Sequence, residues 1–147
     1  MPGGPLRLGG IDVPHDKHLD GHSDADVLLH AVTDALLGAA ALPDIGVMFP
    51  NTDPANRNRD SADMLAAAGR RVAEHNFRII NLDCVVHAER PPLANYYDAM
   101  RHRIAGILGA SPHQIGMKAK SGEGIGPVGR DEAIIARCVA LLGEITI

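Results

Sequence analysis

The chain has 147 residues, the size of one ordinary domain, and with 46% hydrophobic and 22% charged residues it has the balance of a protein that buries a core. No apolar run approaches the ~20 residues of a membrane helix, and "MPGGPLRLGG" lacks a charged n-region followed by an apolar h-region, so no membrane partner is expected and the cytoplasm is the default compartment. A formal charge of −4, with two Tyr, two Phe and no Trp, argues against nucleic acid, which requires phosphate-neutralising charge and usually stacking platforms.

In chain order, "PLRLGGIDV" alternates like a short hairpin with Gly9-Gly10 as its turn. Residues 23 to about 41 predict a helix, with Ser23 and Asp26 as an S-x-x-D capping pattern and Val27, Leu28, Ala31, Ala35 and Leu36 as the apolar face. Residues 42 to 60, rich in Pro, Asn and Asp, read as a loop longer than a connection needs, the kind that often carries function. A second helix is predicted from about Ser61 to His75, then a strand in "RIINLDCVVHAE", then a third helix from about Leu93 to Leu108 ended by Gly109. "IGMKAKS" is a strand leading into the glycine-rich turn "GEGIGPVGR". The last segment fits helix or strand by period, and its β-branched residues Ile134, Ile135, Val139, Ile145, Thr146 and Ile147 favour strand. The sum is one α/β domain, a two-layer sandwich with helices on one face of a mixed sheet. Cys84 and Cys138, far apart in apolar runs with no C-x-x-C spacing, read as reduced buried thiols.

Two polar groups stand out. His30 lies four residues after Asp26 and four before Asp34, so the three share one helical face. That face is either a solvated acid–imidazole stripe with weak pairing, or a metal ligand with carboxylates around it; one histidine does not decide. His22 sits just before the Ser23 cap, where helix N–H groups favour a phosphate, although a surface histidine is the simpler reading. In the second group, Lys118, Lys120 and Arg130 surround a turn carrying Ser121 and Glu123, a pattern suited to a phosphate with a divalent cation but weak by itself.

The run "GHSDADVLLHAVTDALLGAAALPDIGVMFPNTDP" resembles the signature region of the 2-C-methyl-D-erythritol 2,4-cyclodiphosphate synthase family. "DSADML", "AERPPL" and "KAKSGEGIGPVGR" are similar to the corresponding family segments in order and spacing, over nearly the whole chain. The resemblance implies a homotrimer with active sites between subunits, and conversion of 4-diphosphocytidyl-2-C-methyl-D-erythritol 2-phosphate into the cyclic diphosphate with release of CMP. It makes His30 a zinc ligand, and His22 and Ser121 the pair that stabilises the transition state, Ser121 standing where a threonine is usual. Asp44 and Gly46 match ribose-binding positions, Ala88 to Ala94 with Ala119 match the cytidine pocket, and Glu123 matches the ligand of a magnesium or manganese ion. Ser23, Ile45, Phe49, Asn51 and Asp53 are likewise implied to bind substrate, as are Pro92, Leu93, Lys120, Gly122 and Arg130.

Departures from the family pattern modify these expectations. By the register of the match the chain begins about a dozen residues too late to include the Asp-x-His strand that supplies the other two zinc ligands. With Met1 as its true start it is therefore expected to hold zinc poorly and to show little activity. "DKH", Asp16 to His18, has the spacing but falls in a loop. Pro92 stands where a lysine is usual, Lys120 where a threonine, Asn51 where an aspartate, and Pro127 where an aromatic borders the trimer's central cavity, while Arg130 matches the cavity arginine. Two functions follow: the cyclase itself, or a non-catalytic trimer that keeps the nucleotide or isoprenoid-phosphate pocket without zinc.

Overall fold

A computed structural model describes residues 5–15, 26–50, 52 and 60–146. The hairpin forms as expected, β1 (Leu6–Leu8) pairing antiparallel with β2 (Ile11–Val13). Its two-residue turn takes Gly9 to φ 64° and Gly10 to φ 76°, the left-handed pair that matches strand twist and that glycine reaches without strain.

Helix α1 (Val27–Ala39) starts later than the capping pattern suggested, because Asp26 is itself the N-cap, its carboxylate accepting the Leu29 N–H. Ser23 lies outside the described residues. The buried face also differs from expectation: Leu28 and Leu36 are joined by Leu29, Val32, Thr33 and Leu37, whereas Val27, Ala31 and Ala35 are only half-buried. Each fully buried leucine contributes roughly 2 kcal/mol of transfer free energy. The long loop that follows is interrupted by α2 (Ile45–Met48).

Helix α3 (Ser61–Glu74) begins at an Asp60 cap and leads to β3 (Phe77–His87). A single 3-10 turn at Ala94–Tyr96 enters α4 (Tyr97–Leu108), which ends on Gly109 at φ 67°, the left-handed C-cap read from the sequence. Strand β4 (Ile115–Lys120), the short helix α5 (Gly126–Gly129) and β5 (Ile135–Glu144) complete the chain. The second sheet has the order β4-β3-β5, parallel on one side of β3 and antiparallel on the other, so it is mixed.

Leu82, Cys84 and Val86 of β3 are buried, and opposite them β5 carries the small residues Ala140, Cys138 and Ala136, which let α1 lie close along β5. The alternate residues face away from the core. Val139 is 73% exposed and Leu141 57%, so an apolar strip runs along the outer side of β5. Cys84 and Cys138, distant in sequence, are direct cross-strand neighbours with their sulfurs 3.8 Å apart, both as free thiols. No helix among the described residues is long and apolar enough to cross a membrane.

Candidate active site

The first polar group is organised by α1. The Asp26 carboxylate is completely buried, accepting the Gly9 N–H at 3.0 Å and the Leu29 N–H at 3.0 Å through Oδ1 and the Gly10 N–H at 2.7 Å through Oδ2. One side chain thus caps the helix and holds the hairpin turn against it, a structural role. Half-buried His30 has its Nε2 2.8 Å from the hydroxyl of buried Ser61, the first residue of α3. One turn further along, Asp34 accepts the Ile45 N–H at 2.7 Å and so sets the start of α2. Asp44 caps that helix, its Oδ1 accepting the Val47 N–H at 3.0 Å, and the N–H of half-buried Phe49 closes it on the Ile45 carbonyl at 2.8 Å. Asp34 therefore braces the segment Asp44–Gly46. The expected site residues His22, Ser23, Asn51 and Asp53, with Asp16 and His18, lie outside the described residues.

The second group gathers where the parallel strands end. His87 of β3 is paired with Lys120 of β4, so residues 88–93 and the glycine-rich turn leave the sheet on the same side, the side where open α/β sheets commonly bind ligands. The turn then crosses the end of β3 to reach β5, which explains its contact with the segment leaving β3. Ala88 donates its N–H to the Lys120 carbonyl at 2.9 Å, and Glu89 accepts the Gly122 N–H at 2.9 Å. Ala88 and Leu93 are buried, Ala119 is half-buried, and Pro92 is exposed.

Within the turn the Ser121 hydroxyl accepts the Glu123 N–H at 3.1 Å, leaving Glu123 exposed at φ 53°. A Cβ on Gly122 would fall 2.4 Å from the Gly129 nitrogen, and one on Gly129 the same distance from the Gly124 carbonyl carbon, so backbone lies directly on backbone and both glycines are obligatory. The trio of basic groups expected around a phosphate is reduced. Lys118 points to the outer side of the sheet and pairs with both Asp83 oxygens, at 2.8 and 3.0 Å. Arg130 is bonded at 2.9 Å to Glu132, whose hydrogen bond and charge raise the guanidinium pKa further. Lys120 is exposed and has no ion-pair partner among the described residues.

A catalytic zinc takes three protein ligands. Among the described residues no cluster of three or more His, Cys, Asp or Glu could hold a metal, so His30 alone does not make a zinc site there. Glu123 suits magnesium better, because that ion is commonly held by one or two carboxylates together with substrate phosphates. Two residues that shape these groups, Ser61 beside His30 and Glu89 beside Gly122, lie within the family-like segments "DSADML" and "AERPPL" but were given no role of their own by the sequence patterns. The only signal for either was position, at the first residue of a helix and just past the end of a strand.

In sequence and fold the chain is similar to known proteins. The model of the YgbB family matches residues 1–143. The 2-C-methyl-D-erythritol 2,4-cyclodiphosphate synthase of Rhodopirellula baltica is 55% identical over 143 residues, covering 97% of this chain and 86% of that protein. The bifunctional IspDF of Campylobacter jejuni superposes with a TM-score of 0.94 at 37% identity, over 99% of this chain and 39% of that longer one. The CDP complex of IspF from Plasmodium falciparum has a TM-score of 0.85 at 30% identity, over 97% of this chain and 85% of that one. With matches of this extent in both sequence and structure, the chain belongs to the YgbB family.

Proposed function

We propose that the chain cyclises 4-diphosphocytidyl-2-C-methyl-D-erythritol 2-phosphate to 2-C-methyl-D-erythritol 2,4-cyclodiphosphate with release of CMP, a metal-dependent phosphorus–oxygen lyase reaction. The observation that carries this reading is the 55% identity to a synthase of that name across 97% of the chain. The CDP complex of a relative with the same fold supports a cytidine diphosphate ligand.

The reaction is phosphoryl transfer within one substrate. An oxygen of the 2-phosphate bonds to the β-phosphorus, the bond from that phosphorus to the CMP oxygen breaks, and no covalent enzyme intermediate is needed. The protein's contribution is alignment and charge stabilisation. Asp44, Ile45 and Gly46 receive the ribose, Asp44 having its Oδ1 committed to the Val47 N–H and the second oxygen left to accept a hydroxyl. Ala88, Pro92, Leu93 and Ala119 receive the cytosine. Lys120, the Ser121 hydroxyl and the Gly122 region face the diphosphate, His22 and Ser23, which precede α1 in the sequence, assist, and Glu123 would hold a magnesium or manganese ion that would offset the phosphates' charge. Pro92 supplies no charge, which weakens nucleotide binding relative to a lysine at that position. Zinc at His30 requires donors beyond the described residues.

We also infer a homotrimer in which the ribose and phosphate positions of one site come from different subunits. Support comes from the outer side of β5, where Ile135, Val139 and Leu141 are exposed on one face with Arg137 between the first two, a largely apolar surface of the kind that marks protein contacts. Calorimetric titration with CDP in magnesium tests the nucleotide reading: saturable binding is expected, and absence of saturation at millimolar CDP would contradict it.

A further inference from the structure

Three consecutive residues leaving β3 each engage the glycine-rich turn. Ala88 donates its N–H to the Lys120 carbonyl, Glu89 accepts the Gly122 N–H at 2.9 Å, and Arg90 Nη2 lies 3.6 Å from Asp131 Oδ2. They meet the turn at its entry, beside Ser121, and at its far end. The contacts differ in kind. Ala88 continues the sheet ladder, and Arg90 is 69% exposed, so solvent weakens its ion pair. Glu89 is half-buried and its bond is charge-assisted, stronger and more directional than a neutral one.

The turn cannot position itself. Its glycines 122, 124 and 129 stack backbone on backbone with no side chain between them, so internal contacts fix its shape but not its placement over the sheet. Placement depends on the bonds from residues 88–90 together with the buried Val128 side chain of α5. Electrostatics sharpens the point: a carboxylate beside a diphosphate repels it, so an acid here is tolerable when it is engaged by an N–H.

We propose that Glu89 is a positioning residue, whose carboxylate latches Gly122 to the end of β3 and thereby fixes Ser121 and Glu123 relative to the nucleotide pocket. The ligand in this proposal rests on the CDP reading above; the latch rests on the Glu89–Gly122 geometry. Glu89 acts through the turn and does not touch the substrate.

The test compares the native chain with Glu89→Ala and Glu89→Gln by two readouts, the NMR shift of the Gly122 amide proton and calorimetric titration with CDP and magnesium. Glutamine keeps a carbonyl acceptor at the same reach. The latch predicts a downfield Gly122 amide in the native chain and in Glu89→Gln, moving upfield in Glu89→Ala. It predicts CDP affinity about tenfold lower in Glu89→Ala, largely restored in Glu89→Gln. A Gly122 amide unmoved in Glu89→Ala, or unchanged CDP affinity there, overturns the proposal. Equal weakening by Gln and Ala also overturns it, since the carbonyl acceptor that Glu89→Gln keeps would then not be what sets the affinity. If the native chain fails to bind CDP, the nucleotide reading falls and the positioning role falls with it, while the Gly122 amide still decides whether the bond itself exists.

Discussion

The Nε2 of His30 lies 2.8 Å from the Ser61 hydroxyl, so the first residue of α3 orients the imidazole on α1 that the family resemblance assigns to zinc. A hydroxyl at that position fixes the ring's orientation and, able to donate or accept, pairs with either tautomer. Ser61→Ala should cost about 1 kcal/mol of stability in urea unfolding. If His30 is a zinc ligand, the same substitution should lower zinc affinity by about tenfold in a competitive titration. Unchanged zinc affinity would mean that the Ser61 contact serves packing alone.

Asp26 should be among the most sensitive acids in the chain for stability. Asp26→Ala leaves three buried N–H groups, on Gly9, Gly10 and Leu29, without their carboxylate acceptor. With about 1–3 kcal/mol for each unsatisfied group, a loss of at least about 3 kcal/mol is expected in chemical denaturation. Asp26→Asn, which retains one carbonyl oxygen, should fall between Asp26→Ala and the native chain.

The outer face of β5 carries the assembly reading. Val139→Asp places a charge in the middle of the exposed apolar strip, at a position with no core contact to lose. Light scattering should show trimer for the native chain and monomer for the variant, with the far-ultraviolet dichroism preserved. A monomeric native chain at micromolar concentration would contradict the proposed assembly.

The elements were legible in the sequence wherever a local signal decided them. The Gly9-Gly10 turn, the Gly109 cap, the β-branched runs of β3 and β5 and the Ser61 helix start all reduce to residues within one turn or one strand of each other. The site was less legible because its bonds are long-range. Asp26 reaches back 17 residues to Gly9, His30 forward 31 to Ser61, and Glu89 forward 33 to Gly122. Helical spacing put Asp26, His30 and Asp34 on one face, yet spacing does not distinguish a buried cap from a solvated acid. Sequence proximity likewise grouped Lys118 with the turn, whereas strand alternation turned it to the outer side and onto Asp83.

The cysteine pair makes the chain sensitive to alkaline pH. The hydrogen bond that the Cys84 thiol donates to Cys138, followed by burial, pushes the Cys84 thiol pKa up, so the folded state favours the neutral thiol. Its folded pKa lies above its unfolded value, and this contribution to stability is intact below about pH 8.5. Above that pH the unfolded chain loses a proton that the folded chain retains, and stability should fall by up to about 1.4 kcal/mol per pH unit. Unfolding midpoints between pH 7 and 10, compared with Cys84→Ala, should show the steeper decline in the native chain.

The central claim, a cytidine diphosphate pocket that serves a CMP-releasing cyclisation, is tested most directly by CMP release from 4-diphosphocytidyl-2-C-methyl-D-erythritol 2-phosphate. The assay is run in magnesium on samples of measured zinc content, with Ser121→Ala and Glu123→Gln alongside. CMP release should rise in proportion to zinc per subunit, and each substitution should lower the rate at fixed zinc by about 100-fold, as expected for a hydroxyl donor and a cation ligand that act on charge developing in the transition state. Zinc-saturated native protein that binds CDP yet releases no CMP would contradict the account.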